Sequence, residues 1–204
     1  KKERKWTKRK LFKETFYYCI SITNIPKDLF KYNTGVTFNG FISTFEGCTS
    51  LTSIPTDLFR YNILVSDNGF DSTFKNCSNL TTLYDGIFKY NTLVSNSGFT
   101  QTFYGCNNLQ LTQWMFFDDT KEPNRFSGVT LYFTECFYRT SFNGIQGTAP
   151  NLWDCDYISV VGTNCFGGFG NSGTSLTNYD EIPIEWGGQM DEILRIEIQT
   201  TSSN

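Results

Sequence analysis

The chain has 204 residues, 39% of them hydrophobic and 17% aromatic, with 20 Phe, 17 Gly, seven Cys and no His. That length and apolar content suffice for one elongated domain with a sizeable core. The lack of His excludes Ser-His-Asp and Cys-His nucleophilic catalysis, His-ligated zinc and histidine acid-base chemistry. The formal charge of −3 divides into +7 over residues 1–13 and −10 over the rest.

The first element is the basic run KKERKWTKRK, residues 1–10. Such a run can bind nucleic acid or an anionic membrane surface, or serve as a solvated lead-in or polar cap. The expectation is the solvated lead-in: residues 1–11 form a basic arm or linker, and no nucleic acid is required. No apolar segment of signal-peptide type follows it, and no run has the length of a transmembrane helix, so no membrane insertion is expected. The chain opens on Lys, through processing or because it is part of a longer polypeptide. FKETFYYC reads as a repeat entered partway, which favours the longer polypeptide.

From Phe12 the sequence is periodic. Cys19, Cys48, Cys77, Cys106, Cys136 and Cys165 are spaced 29, 29, 29, 30 and 29 residues apart. A period of this length marks stacked supersecondary units. Aligned on the cysteines, the units read FKETFYYCISITNIPKDLFKYN (12–33), GFISTFEGCTSLTSIPTDLFRYN (40–62), GFDSTFKNCSNLTTLYDGIFKYN (69–91) and GFTQTFYGCNNLQLTQWMFF (98–117). Phe41, Phe45 and Cys48, four and three apart, suit one face of a short helical turn. Leu51 to Ile54 reads as a short strand ended by Pro55, and Tyr61-Asn62 as a turn. No single unit can bury its Phe, Cys, Leu and Ile alone, whereas stacked neighbours can.

The alignment predicts ladders of equivalent residues. Phe16, Phe45, Phe74, Phe103 and Phe133 form an aromatic column, and Ile22, Leu51, Leu80 and Leu109 an aliphatic one. Asn33, Asn62 and Asn91 form an amide column that satisfies backbone groups at turns. The fold class is therefore a repeat solenoid of about six units of roughly 29 residues, made of short strands and short helical turns. The solenoid is expected over residues 12–188, followed by a C-terminal strand or tail over 189–204.

After Cys106 the repeat loosens, with DDTKEPNR (118–125) replacing the earlier turn. It recovers at YFTEC (132–136), and GTAPNLWDCDY (147–157) and CFGGFGNSGTSLTNYDEIPIEW (165–186) make an atypical C-terminal cap containing Trp153 and Trp186. DEILRIEIQTTSSN (191–204) alternates around Ile196 and Ile198, as a closing strand or one lent to a neighbouring subunit, so a homo-oligomer is one option.

The cysteines read as buried free thiols: their number is odd and their spacing follows the repeat, which pairs them poorly. Cys155, outside the register, is the expected exposed one. The clusters Asp118-Asp119-Glu122 and Asp180-Glu181-Glu185 lack alternating calcium-ligand spacing and read as solvated loop charge. GGFGNSG (167–173) lacks the Lys of a phosphate loop. No catalytic residue, metal site or cofactor is expected.

The F-x-x-C-x-x-L-x-x-I-P pattern resembles the BspA-like leucine-rich repeats of bacterial surface proteins. TFEGCTSLTSIPTDLFRYN (44–62), GTAPNLW (147–153) and SLTNYDEIPIEWGG (175–188) together are more similar to leucine-rich-repeat proteins of gut Bacteroidetes and their phages. The resemblance covers about residues 12–188. It implies a leucine-rich-repeat fold, a virion or extracellular surface location, and a recognition role without catalytic residues.

Three functions are expected in order: a phage tail or head-fibre module binding a host-surface glycan or protein, a bacterial cell-surface adhesin, and a structural decoration protein contacting other virion proteins. The candidate binding surface is Thr52, Ser53, Tyr61, Thr81, Thr82 and Tyr90, whose hydroxyls and aromatic faces suit glycans or proteins.

Overall fold

Each of the first four units opens with two consecutive tetrapeptides, F-x-x-T and F-x-x-C, which fold as tight turns. The computed structural model describes residues 11–112, 115–116, 131–138, 146–148, 160–161, 165 and 175–177. In the second unit the N–H of Thr44 donates to the carbonyl of Phe41, and that of Cys48 to Phe45, both at 3.1 Å. The residue preceding each polar side chain is left-handed: φ is 50° at Ser43 and 73° at Gly47, 54° at Ser72 and 59° at Asn76.

A helix requires an uninterrupted right-handed run. Here a left-handed residue every fourth place reverses the curvature and aims alternate N–H groups sideways. Those of Phe41, Ser43, Phe45 and Gly47 donate to the carbonyls of Gly69, Asp71, Thr73 and Lys75 in the next unit, at 2.8–3.0 Å. The expected helical turn is therefore corrected, and the described residues contain no helix. A non-glycine left-handed residue costs on the order of 1–3 kcal/mol, and the bonds between units offset it.

The L-x-x-I segments supply the strands. β1 (Ser53–Ile54), β2 (Thr82–Leu83), β3 (Gln110–Leu111), β4 (Leu131–Tyr132), β5 (Gln146–Thr148), β6 (Val160–Val161) and β7 (Ser175–Thr177) are all short. A five-stranded sheet has the order β1-β2-β3-β5-β7, and β4 pairs with β6 in a second sheet. Every pairing is parallel. Ser53 pairs with Thr82 and Gln146 with Ser175, each one period along the chain. The fourth unit is one residue shorter here, Leu109-Gln110-Leu111 against Leu80-Thr81-Thr82-Leu83, so Thr82 pairs with Gln110.

The core consists of three phenylalanine columns. Phe12, Phe41, Phe70 and Phe99 stack at centroid distances of 5.5–5.8 Å. Phe16, Phe45, Phe74 and Phe103 stack at 5.1–5.7 Å. Phe30, Phe59 and Phe88 form the third column at 5.8–5.9 Å. Its rings meet the first column tilted, as Phe59 does Phe70 at 4.7 Å and 57°. Offset stacking within columns and tilted contacts between them are the favoured aromatic geometries. Leu51, Leu80, Leu109, Ile54, Leu83 and Leu111 are buried beside them.

Polar side chains tie each unit to the one before. Thr44, Thr73 and Thr102 donate through Oγ1 to the carbonyls of Phe12, Phe41 and Phe70. Cys48, Cys77 and Cys106 donate through Sγ to those of Phe16, Phe45 and Phe74. Asn62 and Asn91 donate through Nδ2 to those of Phe30 and Phe59. The donor always stands three residues after its own column phenylalanine, and the acceptor is the equivalent phenylalanine one unit earlier.

The fifth unit departs from the cysteine alignment. Phe133 stacks on Phe99 at 5.1 Å, and Phe137 stacks on Phe103 at 5.8 Å. The N–H of Phe103 donates to the carbonyl of Cys136, as that of Phe74 does to Thr102. Phe133 therefore belongs to the first column, and Phe137 continues the column that spacing assigned to Phe133. Cys136 stands in the threonine slot, and its Sγ does not extend the Cys19–Cys106 column. The carbonyl of Cys165 accepts from the N–H of Phe137, so Cys165 follows Cys136 in that slot. The order of the tetrapeptides is reversed here, F-T-E-C before F-Y-R-T, and rings rather than thiols set the register.

Candidate recognition surface

The sheet rungs expose a hydroxyl row. Two residues separate the buried Leu51 and Ile54, and both lie toward the outside: Thr52 is exposed and Ser53 half-buried. Thr81 and Thr82 are exposed in the next rung, and Gln110 in the one after. Backbone bonds hold the row, from Thr52 N–H to Thr23 O, Thr81 to Thr52 and Gln110 to Thr81, at 3.4, 3.2 and 2.8 Å. The hydroxyls of Thr52 and Thr81 reach the same carbonyls only at 3.5 and 3.4 Å, so they are loosely engaged.

Tyr61 and Tyr90 stand on the later turn, after the buried pairs Leu58-Phe59 and Ile87-Phe88. Both are half-buried, while the equivalent Tyr32 is 83% exposed. A cation precedes each tyrosine. Lys31 Nζ lies 5.7 Å from the Tyr32 ring centre and 6.0 Å from that of Tyr61. The Arg60 guanidinium lies 5.7 Å from Tyr61 and 5.6 Å from Tyr90, and Lys89 lies 5.1 Å from Tyr90. The outcome is one interleaved ladder of cations and rings, each contact within the range of a cation–π attraction.

The six residues expected to bind thus fall on two rows, the hydroxyls on the sheet rungs and the tyrosines on the following turn. Lys31, Arg60 and Lys89 were absent from the sequence-derived set. Their signal was legible: the residue between Phe and Tyr is basic in F-K-Y-N, F-R-Y-N and F-K-Y-N.

A third row runs along the left-handed positions. Gln101 Oε1 accepts from Lys75 Nζ at 2.7 Å, and Gln101 Nε2 donates to Glu135 at 2.6 Å. Ser72 donates its hydroxyl to Asp71 at 2.8 Å, and burial raises the Asp71 carboxyl above its ordinary value.

No family model, curated protein or solved structure matches the chain.

The six described cysteines are free thiols. Burial pushes Cys48 up to about 11 and raises Cys77, Cys106, Cys136 and Cys165 as well, a direction opposite to that of a nucleophilic thiolate. Among the described residues no cluster of His, Cys, Asp or Glu could hold a metal ion, and no helix is long and apolar enough to cross a membrane. Cys155, Trp153, Trp186, the two acidic clusters, GGFGNSG, the basic run 1–10 and the Ile196-Ile198 segment lie outside the described residues.

Proposed function

We propose that the chain is a non-catalytic recognition module, a BspA-like leucine-rich-repeat solenoid displayed on a virion as part of a phage tail or head fibre. Its ligand is a glycan or protein of the host surface. The observation that carries this reading is the repetition of exposed and half-buried polar and aromatic side chains in register, Thr52-Ser53 with Thr81-Thr82 and Tyr32 with Tyr61 and Tyr90. Such rows suit an extended ligand, which gains from many weak, equally spaced contacts. Buried thiols held protonated leave the cysteines as core donors. The virion location draws on the likeness of GTAPNLW and SLTNYDEIPIEWGG to terminal segments of phage repeat proteins.

The test is mass spectrometry and immunogold labelling of purified particles, joined to adsorption of the isolated chain to host cells. Label at fibre tips together with cell adsorption is the expected result. Label across the capsid without adsorption would replace recognition by decoration. Label on the cell envelope alone would move the chain to the bacterial adhesins.

A further inference from the structure

We propose that the ladder of Lys31, Tyr32, Arg60, Tyr61, Lys89 and Tyr90 is a docking strip for a carboxylated polysaccharide, a polyuronate lying along the stack. The proposal rests on the recognition reading above and names its ligand class.

Tyr61 is met by both Lys31 and Arg60, and Tyr90 by both Arg60 and Lys89. The ammonium and guanidinium N–H groups and the phenolic O–H groups of this ladder are donors of the kind that address an anionic ligand. These donors recur once per rung, about every 4.8 Å, comparable with the rise of one sugar in an extended 1,4-linked chain. A polymer with one anionic group per sugar or two can meet successive rungs without bending.

The charge pattern selects the kind of anion. Asp28, Asp57 and Asp85 stand within four residues of Lys31, Arg60 and Lys89. Arg60 Nη1 lies 4.0 Å from Asp57 Oδ2, and both side chains are about half exposed, a loose pair in contact with water. A densely phosphorylated strand would face these carboxylates as well as the cations. A polyuronate carries hydroxyls between its carboxylates, so its hydroxyls can donate to the aspartates while its carboxylates accept from Lys, Arg and Tyr. Arg60 with Asp57 and the flanking Tyr61 and Tyr90 place a cation, a carboxylate and phenols side by side, which matches that alternation.

The test is biolayer interferometry of the full 204-residue chain on immobilised polygalacturonate and alginate, with neutral dextran and dextran sulfate as comparisons. Binding to the polyuronates and not to dextran is expected. Affinity should fall about tenfold or more in Arg60→Ala and in the Lys31→Ala/Lys89→Ala pair, be partly kept in Arg60→Lys, and stay unchanged in Lys13→Ala. Urea midpoints confirm that each variant is folded, and Tyr61→Phe, which removes only a hydroxyl, supplies a second probe. Equal or tighter binding to dextran sulfate would reduce the strip to unselective charge and overturn the proposal. Polyuronate binding that ignores the ladder variants would also overturn it. Adsorption to host cells without polyuronate binding overturns this ligand class alone, whereas loss of both overturns the recognition reading too.

Discussion

Phe103 stacks on Phe137 with ring centroids 5.8 Å apart and planes within 7°, although the two are 34 residues apart where earlier partners are 29 apart. The five extra residues fall between the fourth and fifth units, and the ring column continues across them. The aromatic core therefore sets the register, and the side chain three residues after each ring adapts to it.

Because Cys136 fills the slot of Thr44, Thr73 and Thr102, Cys136→Thr should shift unfolding stability by less than about 1.5 kcal/mol. Phe137→Ala should cost about 3–5 kcal/mol, since that ring is fully buried. Urea unfolding of both variants checks this. A threonine variant as damaged as Phe137→Ala would restore the cysteine alignment.

Asn91 donates to Phe59 O at 3.3 Å and to Asn62 O at 3.0 Å, while Asn62 donates to Phe30 O and Asn33 O at 3.3 and 2.9 Å. Asn91→Ala removes two donors and leaves buried carbonyls unmet, for an expected loss of about 2–4 kcal/mol. The exposed Thr92→Ala should change stability by less than about 0.5 kcal/mol. Chemical denaturation separates them, and equal small effects would remove the amide column from the account of stability.

Burial holds Cys48 near 11 and raises Cys77 and Cys106 as well. At pH 8 only about a thousandth of a thiol with a pKa of 11 is thiolate. Among these four cysteines, iodoacetamide should therefore label the half-buried Cys19 first and Cys48, Cys77 and Cys106 only after unfolding, as peptide mass mapping over time would show. Native labelling of Cys77 as fast as Cys19 would contradict the buried column.

A Cβ on Gly69 would meet Val65 Cγ1 and come within 2.8 Å of the Ser66 carbonyl oxygen, whereas one on Gly35 meets nothing within 4 Å. Gly69→Ala should cost about 1–3 kcal/mol through overpacking, and Gly35→Ala should be tolerated. Thermal unfolding of the two variants gives the comparison, and an unaffected Gly69→Ala would show that the turn can open at that point.

Asp71 is raised by burial first, and also by Glu46, against lowering by the Ser72 hydroxyl and the Lys75 ammonium. The folded chain keeps this proton to higher pH than the unfolded chain, so ionising Asp71 removes stability as pH rises through its raised value. Asp71→Asn cannot ionise, and its advantage over the native chain should grow from about pH 4 upward and then level off. Melting temperatures across that range test the sign, and a native chain that gains on the variant with rising pH would refute it.

The period of 29 residues was legible because burial recurs wherever the chain returns to an equivalent position, as at Phe45, Phe74 and Phe103 or Leu51, Leu80 and Leu109. The exposed hydroxyls of Thr52, Thr81 and Thr82 were legible for the same reason. Turn geometry was not, since spacings of three and four belong equally to a helix and to tight turns reversed by Ser43 and Gly47. Hydrogen-bond partners in the adjacent unit decide between them. The placement of Phe137 over Phe103 was hidden by the coincidence that Cys136 lies thirty residues after Cys106. The sequence by itself determined the repeat, its inward-facing rings and its lack of histidine chemistry, because these depend on residue type and spacing. Only the tertiary structure decided the left-handed turns, the fifth unit's register and the interleaving of Lys31, Arg60 and Lys89 with the tyrosines, because each depends on which side chain of the neighbouring unit comes within reach.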